Sequence, residues 1–206
     1  DMAASWGCFN LEKREFEYKK LQAAGVDISF LPEVKKSYEI VGKTSDGIPV
    51  ISSLGDNQAS VLGSVSDEEN SLLINIGTGS QVSLITHKYF SVDGDIEIRP
   101  YDDKYLLAGS SLCGGRAYAM LEKFYRSVPG VNSENLYAAI EEQAEKFLDE
   151  HGLNEAWEIE TTFSGSRSNP NKLGSILKIS EQNFTPGAFT VGIIQGILQE
   201  LYTSYS

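Results

Sequence analysis

An apolar run that breaks into a glycine turn constrains this chain more than any other feature. Ser71-Leu72-Leu73-Ile74-Asn75-Ile76 reads as a strand, and Gly77-Thr78-Gly79-Ser80 follows it directly. Successive backbone N–H groups in such a turn form an anion cradle, and the Thr78 hydroxyl adds a donor. The same four residues also read as an ordinary hairpin turn. A dinucleotide fingerprint is not complete here, because Val82 stands where its third glycine would fall. Upstream, Leu54-Gly55-Asp56-Asn57-Gln58-Ala59-Ser60 puts one carboxylate at a strand-to-helix junction. Asp56 reads either as a helix N-cap or as a base that takes the proton of a substrate hydroxyl. Gly55 lets the backbone turn closely, and Asn57 and Gln58 set amide groups beside the carboxylate. A base and an anion cradle at neighbouring strand ends are what phosphoryl transfer to an alcohol requires.

The surrounding pattern alternates strands and helices. Residues 17–24 read as a short helix ended by Gly25. Glu39-Ile40-Val41 and Ile48-Pro49-Val50-Ile51 read as strands around Ser45-Asp46-Gly47. A helix is predicted from Asp56 to about Val65, followed by the polar break Ser66-Asp67-Glu68-Glu69-Asn70, which marks a domain boundary. Strands are predicted at 72–76, 82–85, 96–98 and 105–108. Three helices follow: 114–126; 133–150, with Ser133 as a cap residue; and one starting at Thr185-Pro186, an N-cap followed by proline at the first helical position. Val191, Ile194, Ile197, Leu198 and Leu201 are predicted as the buried face of that last helix. Phe163–Gly174 reads as a polar loop. Strands first and helices after, twice over, give an α/β class.

Several patterns fail on inspection. Ser37–Thr44 ends like a Walker A loop, but Ser37 replaces its first glycine, and Gly47 and Pro49 prevent the helix that should follow. Asp93-Gly94-Asp95-Ile96-Glu97 has a misplaced glycine for a calcium loop and enters a β pattern. His87 and His151 lack zinc-ligand spacing, and no Gly-x-Ser-x-Gly elbow supports a serine hydrolase. Trp6 and Trp157 read as packing residues. Asn183-Phe184-Thr185 fits a glycosylation sequon in a chain with no other secretory sign.

The formal charge, 17 − 29 = −12 with no basic cluster, argues against nucleic-acid binding. Apolar runs are too short for a membrane span. Cys8 and Cys113 are the only cysteines, which points to a reducing, cytoplasmic setting. Asp1-Met2 is not an initiator context, and the final residues lie inside an amphipathic helical pattern without a C-cap glycine, so the ends read as those of a piece of a longer protein.

Five blocks in order resemble the FGGY family of carbohydrate kinases, in its sedoheptulokinase-like branch. Ala3-Ala4-Ser5-Trp6-Gly7-Cys8-Phe9-Asn10 is similar to the segment before that branch's catalytic region. Gly55-Asp56-Asn57-Gln58-Ala59-Ser60 resembles the family's Gly-Asp-x-Gln-Ala block, and Asn75-Ile76-Gly77-Thr78-Gly79-Ser80 its second phosphate motif. Ser110-Ser111-Leu112-Cys113-Gly114-Gly115 is similar to its Ser-Leu-x-Gly-Gly segment. Gly165-Ser166-Arg167 resembles its Gly-Glu-Arg turn, with serine in place of glutamate.

The resemblance implies a ribonuclease-H-like, actin-type ATPase fold, present in part. Residues 1–66 would end a first, sugar-binding domain, and residues 67–206 would open a second, nucleotide-binding domain. It implies an ATP-dependent kinase acting on a sugar hydroxyl, on a ketose such as sedoheptulose or a pentulose. Asp56 matches the catalytic base, Asn57 a sugar contact, and Gln81 a substrate contact of some members. Gly77, Thr78 and Gly79 match the turn over the β- and γ-phosphates, and Gly115 a glycine at the nucleotide wall. Mg²⁺ would arrive with ATP and sit near Asp56 through water. The family's N-terminal Asp-x-Gly-Thr motif and C-terminal adenosine-binding glycine segment are not in this sequence. Two other classes stay open: an ATPase or sensor on the same fold, for which Ser166 leaves room, and a non-catalytic module in which Asp56 only caps a helix.

Overall fold

The computed structural model describes residues 2–92 and 95–204. Asp1, the Asp93-Gly94 part of the calcium-like stretch and the Tyr205-Ser206 end lie outside the described residues. A 3₁₀ turn, Met2–Trp6, precedes a small ribbon of β1 (Phe9–Asn10) and β2 (Glu15–Phe16), then helix α1 (Tyr18–Ala23). Gly25 follows α1 with φ +77°, as the helix-ending role of a glycine requires. Strands β3 (Ile40–Lys43) and β4 (Pro49–Ile51) pair antiparallel across the Gly47 turn, with a register irregularity between Ile40 and Gly42. Lys43 therefore sits in a strand, and β4 rather than a helix follows Thr44, so the Walker-like ending of that stretch lacks the helix N-terminus that such a loop uses.

Helix α2 (Asp56–Ser64) is followed by the polar break, and then come β5 (Leu73–Ile76), β6 (Ser80–Thr86), β7 (Ile96–Tyr101) and β8 (Lys104–Ser111). These four form one sheet in the order β5-β6-β8-β7. Asp102 and Asp103 make the tight turn between β7 and β8, and Asp102 takes φ +48°, which aspartate tolerates better than most residues. Helices α3 (Gly115–Arg126) and α4 (Leu136–His151), strands β9 (Glu158–Glu160) and β10 (Ser175–Leu177), and helix α5 (Pro186–Thr203) complete the order. β9 and β10 pair antiparallel, a ribbon the sequence pattern did not announce.

The chain divides into two compact units. One comprises Asp1–Leu73, Ser83–Asp93 and Glu97–Ala108; the other comprises Ile74–Val82, Gly94–Ile96 and Gly109–Ser206. In the first, Val61 packs with Tyr101 and Leu106, with Val65, Leu73 and Ile85 around them. Arg14 ties the N-terminal ribbon to the β7–β8 turn. Its guanidinium donates to the carbonyls of Asp102 and Lys104 and lies over the Tyr105 ring, 5.0 Å from its centre. The polar break is strapped down as well. Tyr101 OH donates to Glu68 at 2.6 Å, and Lys104 Nζ reaches Glu68 at 3.2 Å and Glu69 at 2.8 Å. Burial, then the Glu68 carboxylate, pushes the Tyr101 phenol far up, so it remains a donor.

The second unit has the larger core, built from Leu121, Ile140, Phe147, Trp157, Val191 and Ile197 with their neighbours. Helix α4 is capped by Asn135, whose side chain accepts from Ala138 N–H at 3.3 Å, and not by Ser133. Helix α5 starts where the Thr185-Pro186 signal puts it, with Thr185 Oγ1 accepting from Ala188 N–H at 3.1 Å. Its buried face differs from the expectation. Val191, Ile197 and Leu201 are buried, but Ile194 and Leu198 are exposed, and Gly187, Gly192 and Gly196 lie inside. A Cβ on Gly192 would meet the Trp157 carbonyl at 2.5 Å, and one on Gly196 would collide with the Ile159 carbonyl. Bare backbone lets α5 settle directly on β9. Trp157 is a packing residue, stacked on Phe189 at 4.9 Å with its Nε1–H on the Asn183 carbonyl at 2.9 Å; Trp6 is half-exposed against Phe16 and Phe30. Asn183 is itself buried and donates to the Glu155 and Lys178 carbonyls, so the sequon at 183–185 is not open to a glycan.

Candidate active site

Two clusters collect the residues that the sequence singles out, one in each unit. The first is the start of α2. Gly55, with φ −70° and ψ 153°, is the N-cap, and it forms no side-chain cap bond. Asp56 is the first helical residue, so its carboxylate does not cap the helix. Oδ1 accepts from the Asn57 N–H at 2.8 Å, and the side chain is exposed. The carboxylate is thus oriented by its own helix start and open to solvent. Asn57 is half-buried beside it. Gln58 is not a site amide as expected. It is buried at 3% exposure and donates through Nε2 to the Pro100 carbonyl on β7 at 2.9 Å.

The second cluster joins the turn 77–79 to the junction of β8 and α3. Gly115 N–H donates to the Gly77 carbonyl at 2.7 Å, and Arg116 N–H to the Thr78 carbonyl at 3.0 Å. Three glycines permit this backbone-on-backbone contact. A Cβ on Gly79 would lie 2.6 Å from the Ser111 carbonyl, and one on Gly115 would lie 2.6 Å from the Gly77 carbonyl. One on Gly114 would collide with Ser80 Oγ and stand 2.8 Å from the Gly79 carbonyl. The peptide plane then dictates the rest. The peptide bonds of this turn are trans, so fixing the Gly77 and Thr78 carbonyls toward α3 turns the Thr78 and Gly79 N–H groups the opposite way. Neither N–H has a backbone acceptor among the turn and loop bonds of the described residues. Two adjacent donors on that side, beside the exposed Thr78 side chain, are a pair of the kind that suits an anion. Gly77 is open: a Cβ there would meet only the Gly79 carbonyl, at 3.8 Å. Its missing side chain leaves space that the protein itself does not fill.

The N-terminus of α3 is not the anion site. Gly115, Arg116 and Ala117 N–H groups are all taken by Gly77, Thr78 and Gly114 carbonyls. Gly114 is the residue to which sequence reasoning gave no role; the glycine pair directly before a helical run was the signal. Gln81 is half-buried on β6, just after the turn. Ser80 Oγ is buried without a hydrogen-bond partner. Burial pushes the Cys113 thiol up, so it packs as a small apolar group and not as a nucleophile.

Ser166 is used within its own loop, where its Oγ accepts from Asn169 N–H at 3.0 Å and pairs with Ser168 Oγ at 3.1 Å. Gly165 takes φ +76° there, and a Cβ would run into the Pro170 carbonyl. Asp95, in the calcium-like stretch, accepts from Ser168 N–H at 2.6 Å. Among the described residues no group of three His, Cys, Asp or Glu side chains is arranged to hold a metal. None of their helices is long and apolar enough to cross a membrane. A groove of about 660 Å³ in the first unit, lined by Trp6, Phe9, Arg14, Phe16, Lys35 and Pro100 among others, contains none of the site residues named above.

No family model matches the chain. Known proteins do. A sedoheptulokinase of Mus musculus is 29% identical over 220 residues, which cover 98% of this chain and 45% of that enzyme. A gluconate kinase structure from Lactobacillus acidophilus superposes with a TM-score of 0.80 at 18% identity, over 98% of this chain and 42% of that one. A xylulose kinase structure from Rhodospirillum rubrum gives 0.79 at 18% identity, over 93% and 40%. The chain thus spans less than half the length of the relatives it matches, and its fold is the actin-like ATPase fold of those sugar kinases. In sequence and in fold the chain is similar to carbohydrate kinases along nearly its whole length, in agreement with the FGGY resemblance of its five ordered blocks.

Proposed function

We propose that this chain is the central part of an ATP-dependent kinase that phosphorylates a sugar hydroxyl. The observation that carries the reading is the turn at 77–79, whose carbonyls are tied to α3 and whose Thr78 and Gly79 N–H groups are turned the opposite way as a pair. The β- and γ-phosphates of ATP are the anions that such a pair suits, with Gly77 bare so that they approach closely. Gly115 serves the nucleotide wall by holding that turn. Asp56 is the general base: it accepts the proton of the attacking hydroxyl as the oxygen engages the γ-phosphoryl group. Asn57 and Gln81 contact the sugar, a ketose such as sedoheptulose or a pentulose; the resemblance to sedoheptulokinase supports the former. Mg²⁺ would arrive with ATP, and Asp56 would hold it through water. Residues 1–66 belong to the sugar-binding domain and 67–206 to the nucleotide-binding domain of the full-length protein. A cytoplasmic location fits two free cysteines.

Asp56→Asn in the full-length protein tests the mechanism. Loss of a positioned base costs about 10²–10⁴-fold in turnover. Near wild-type turnover would remove Asp56 from the chemistry. A second reading, an ATPase or sensor, draws on Ser166, which stands where the family has glutamate and is spent on its own loop. ADP release that sugar does not stimulate would favour it.

A further inference from the structure

Helix α2 carries Asp56, yet very little holds it. Of its residues, only Gln58 and Val61 are buried; Asp56, Ala59, Ser60, Leu62, Gly63 and Ser64 are exposed. Val61 anchors the middle of the helix in the apolar cluster with Tyr101 and Leu106. Gln58 is the one anchor in the first turn, and it is a directed anchor. Its Nε2 donates at 2.9 Å to the carbonyl of Pro100, 42 residues away on β7. On the other side, its Oε1 lies over Gly55, so closely that a Cβ on that glycine would collide with it. The Gln58 amide is therefore gripped between the helix N-cap and a strand. Asp56 lies on the backbone between the two points that the amide fixes.

We propose that Gln58 is a positioning residue: through its bond to the Pro100 carbonyl and its packing on Gly55, it sets the direction in which α2 presents the Asp56 carboxylate. This rests on the reading of Asp56 as the base. An apolar residue of the same size would fill the space but would lose the bond to Pro100, leaving the first turn free to roll about Val61. A base displaced by about 1 Å loses on the order of 10²-fold in rate. ATP is bound by groups outside α2, so KM for ATP is unaffected; the loss falls on kcat, and KM for sugar rises to the extent that Asn57 moves with the turn.

The test uses Gln58→Met in the full-length protein, with Gly55→Ala as a second variant that disturbs the amide from the opposite side. Each is assayed below its own melting temperature. The expected result is a fall in kcat of about 10- to 100-fold with KM for ATP within about threefold of wild type. Adding Gln58→Met to Asp56→Asn should cost little further, because a base already removed cannot be misplaced. A Gln58→Met enzyme that melts earlier but keeps wild-type kcat would overturn the proposal, since that is the behaviour of a merely structural residue. If Gln58→Met gives no melting transition, Gly55→Ala decides: unchanged kcat overturns the proposal, and reduced kcat at unchanged KM for ATP supports it. The parent reading fails separately, if Asp56→Asn alone keeps its turnover.

Discussion

Gly77 and Gly115 face each other across one hydrogen bond, yet a methyl group should have opposite consequences at the two positions. At Gly115 the added Cβ would stand 2.6 Å from the Gly77 carbonyl, and ordinary contact begins at 3.4 Å, so the backbones must part by about 3.4 − 2.6 = 0.8 Å. Neither partner is a side chain that can swing aside. Overpacking of this kind costs about 1–3 kcal/mol, and weakening the 2.7 Å bond from Gly115 N–H adds about 0.5–1.5 kcal/mol. Alanine's better helix propensity returns up to about 1 kcal/mol. The net loss is about 1–3 kcal/mol, or a melting temperature lower by roughly 3–10 °C in a domain of this size. At Gly77 the nearest atom is 3.8 Å away and φ is not positive, so Gly77→Ala should leave stability within about 0.5 kcal/mol. The methyl would instead occupy the open side of the turn, and KM for ATP should rise about tenfold or more while KM for sugar stays put. Scanning fluorimetry and initial rates on both variants of the full-length protein measure this. If Gly77→Ala melts as early as Gly115→Ala, or leaves KM for ATP unchanged, then that open side is not where phosphates sit.

Two further outcomes follow from the same geometry. Ser80 Oγ is buried without a partner beside Gly114, so Ser80→Ala should raise the melting temperature by a few degrees, since an unsatisfied buried hydroxyl costs about 1–3 kcal/mol; a lower melting temperature would mean that the hydroxyl holds a water or ligand. The 206-residue chain by itself should show no sugar-dependent ADP release in a coupled assay and should self-associate through the β3–β4 ribbon, every residue of which is exposed, Ile40, Val41, Val50 and Ile51 included. Robust turnover with a ketose, or association unchanged when Ile40 and Ile51 are both replaced by threonine, would count against this.

The elements that the sequence announces are those whose signals are local. Thr185-Pro186 fixes the start of α5 because a side-chain oxygen and a proline do their work within one turn. The buried face of α5 was misassigned for the converse reason. Periodicity counts large apolar residues, whereas the face that settles on β9 is carried partly by Gly192 and Gly196, which have no hydrophobic signal. Ile194 and Leu198 were displaced to the outside by that choice. β9 and β10 were missed because three-residue strands are too short to show an alternation, and their pairing joins residues on either side of a polar loop.

The site divides the same way. That 77–79 is a glycine turn after a strand could be read directly, and the resemblance attached phosphates to it. Which glycines serve the ligand and which serve the protein could not be read, because Gly79, Gly114 and Gly115 are required by carbonyls that lie far along the chain or across a turn. The aspartate block shows the stronger version of this limit. Two adjacent amides, Asn57 and Gln58, look alike beside Asp56, and a sequence has no way to say which of them points toward a substrate. The helix decides it. At the first turn, consecutive side chains are about 100° apart around the axis, so if Gln58 faces the Pro100 carbonyl, Asp56 and Asn57 are turned away from it. Burying one amide thus goes with leaving the carboxylate exposed, which is the ground on which we propose that Gln58 sets where Asp56 points.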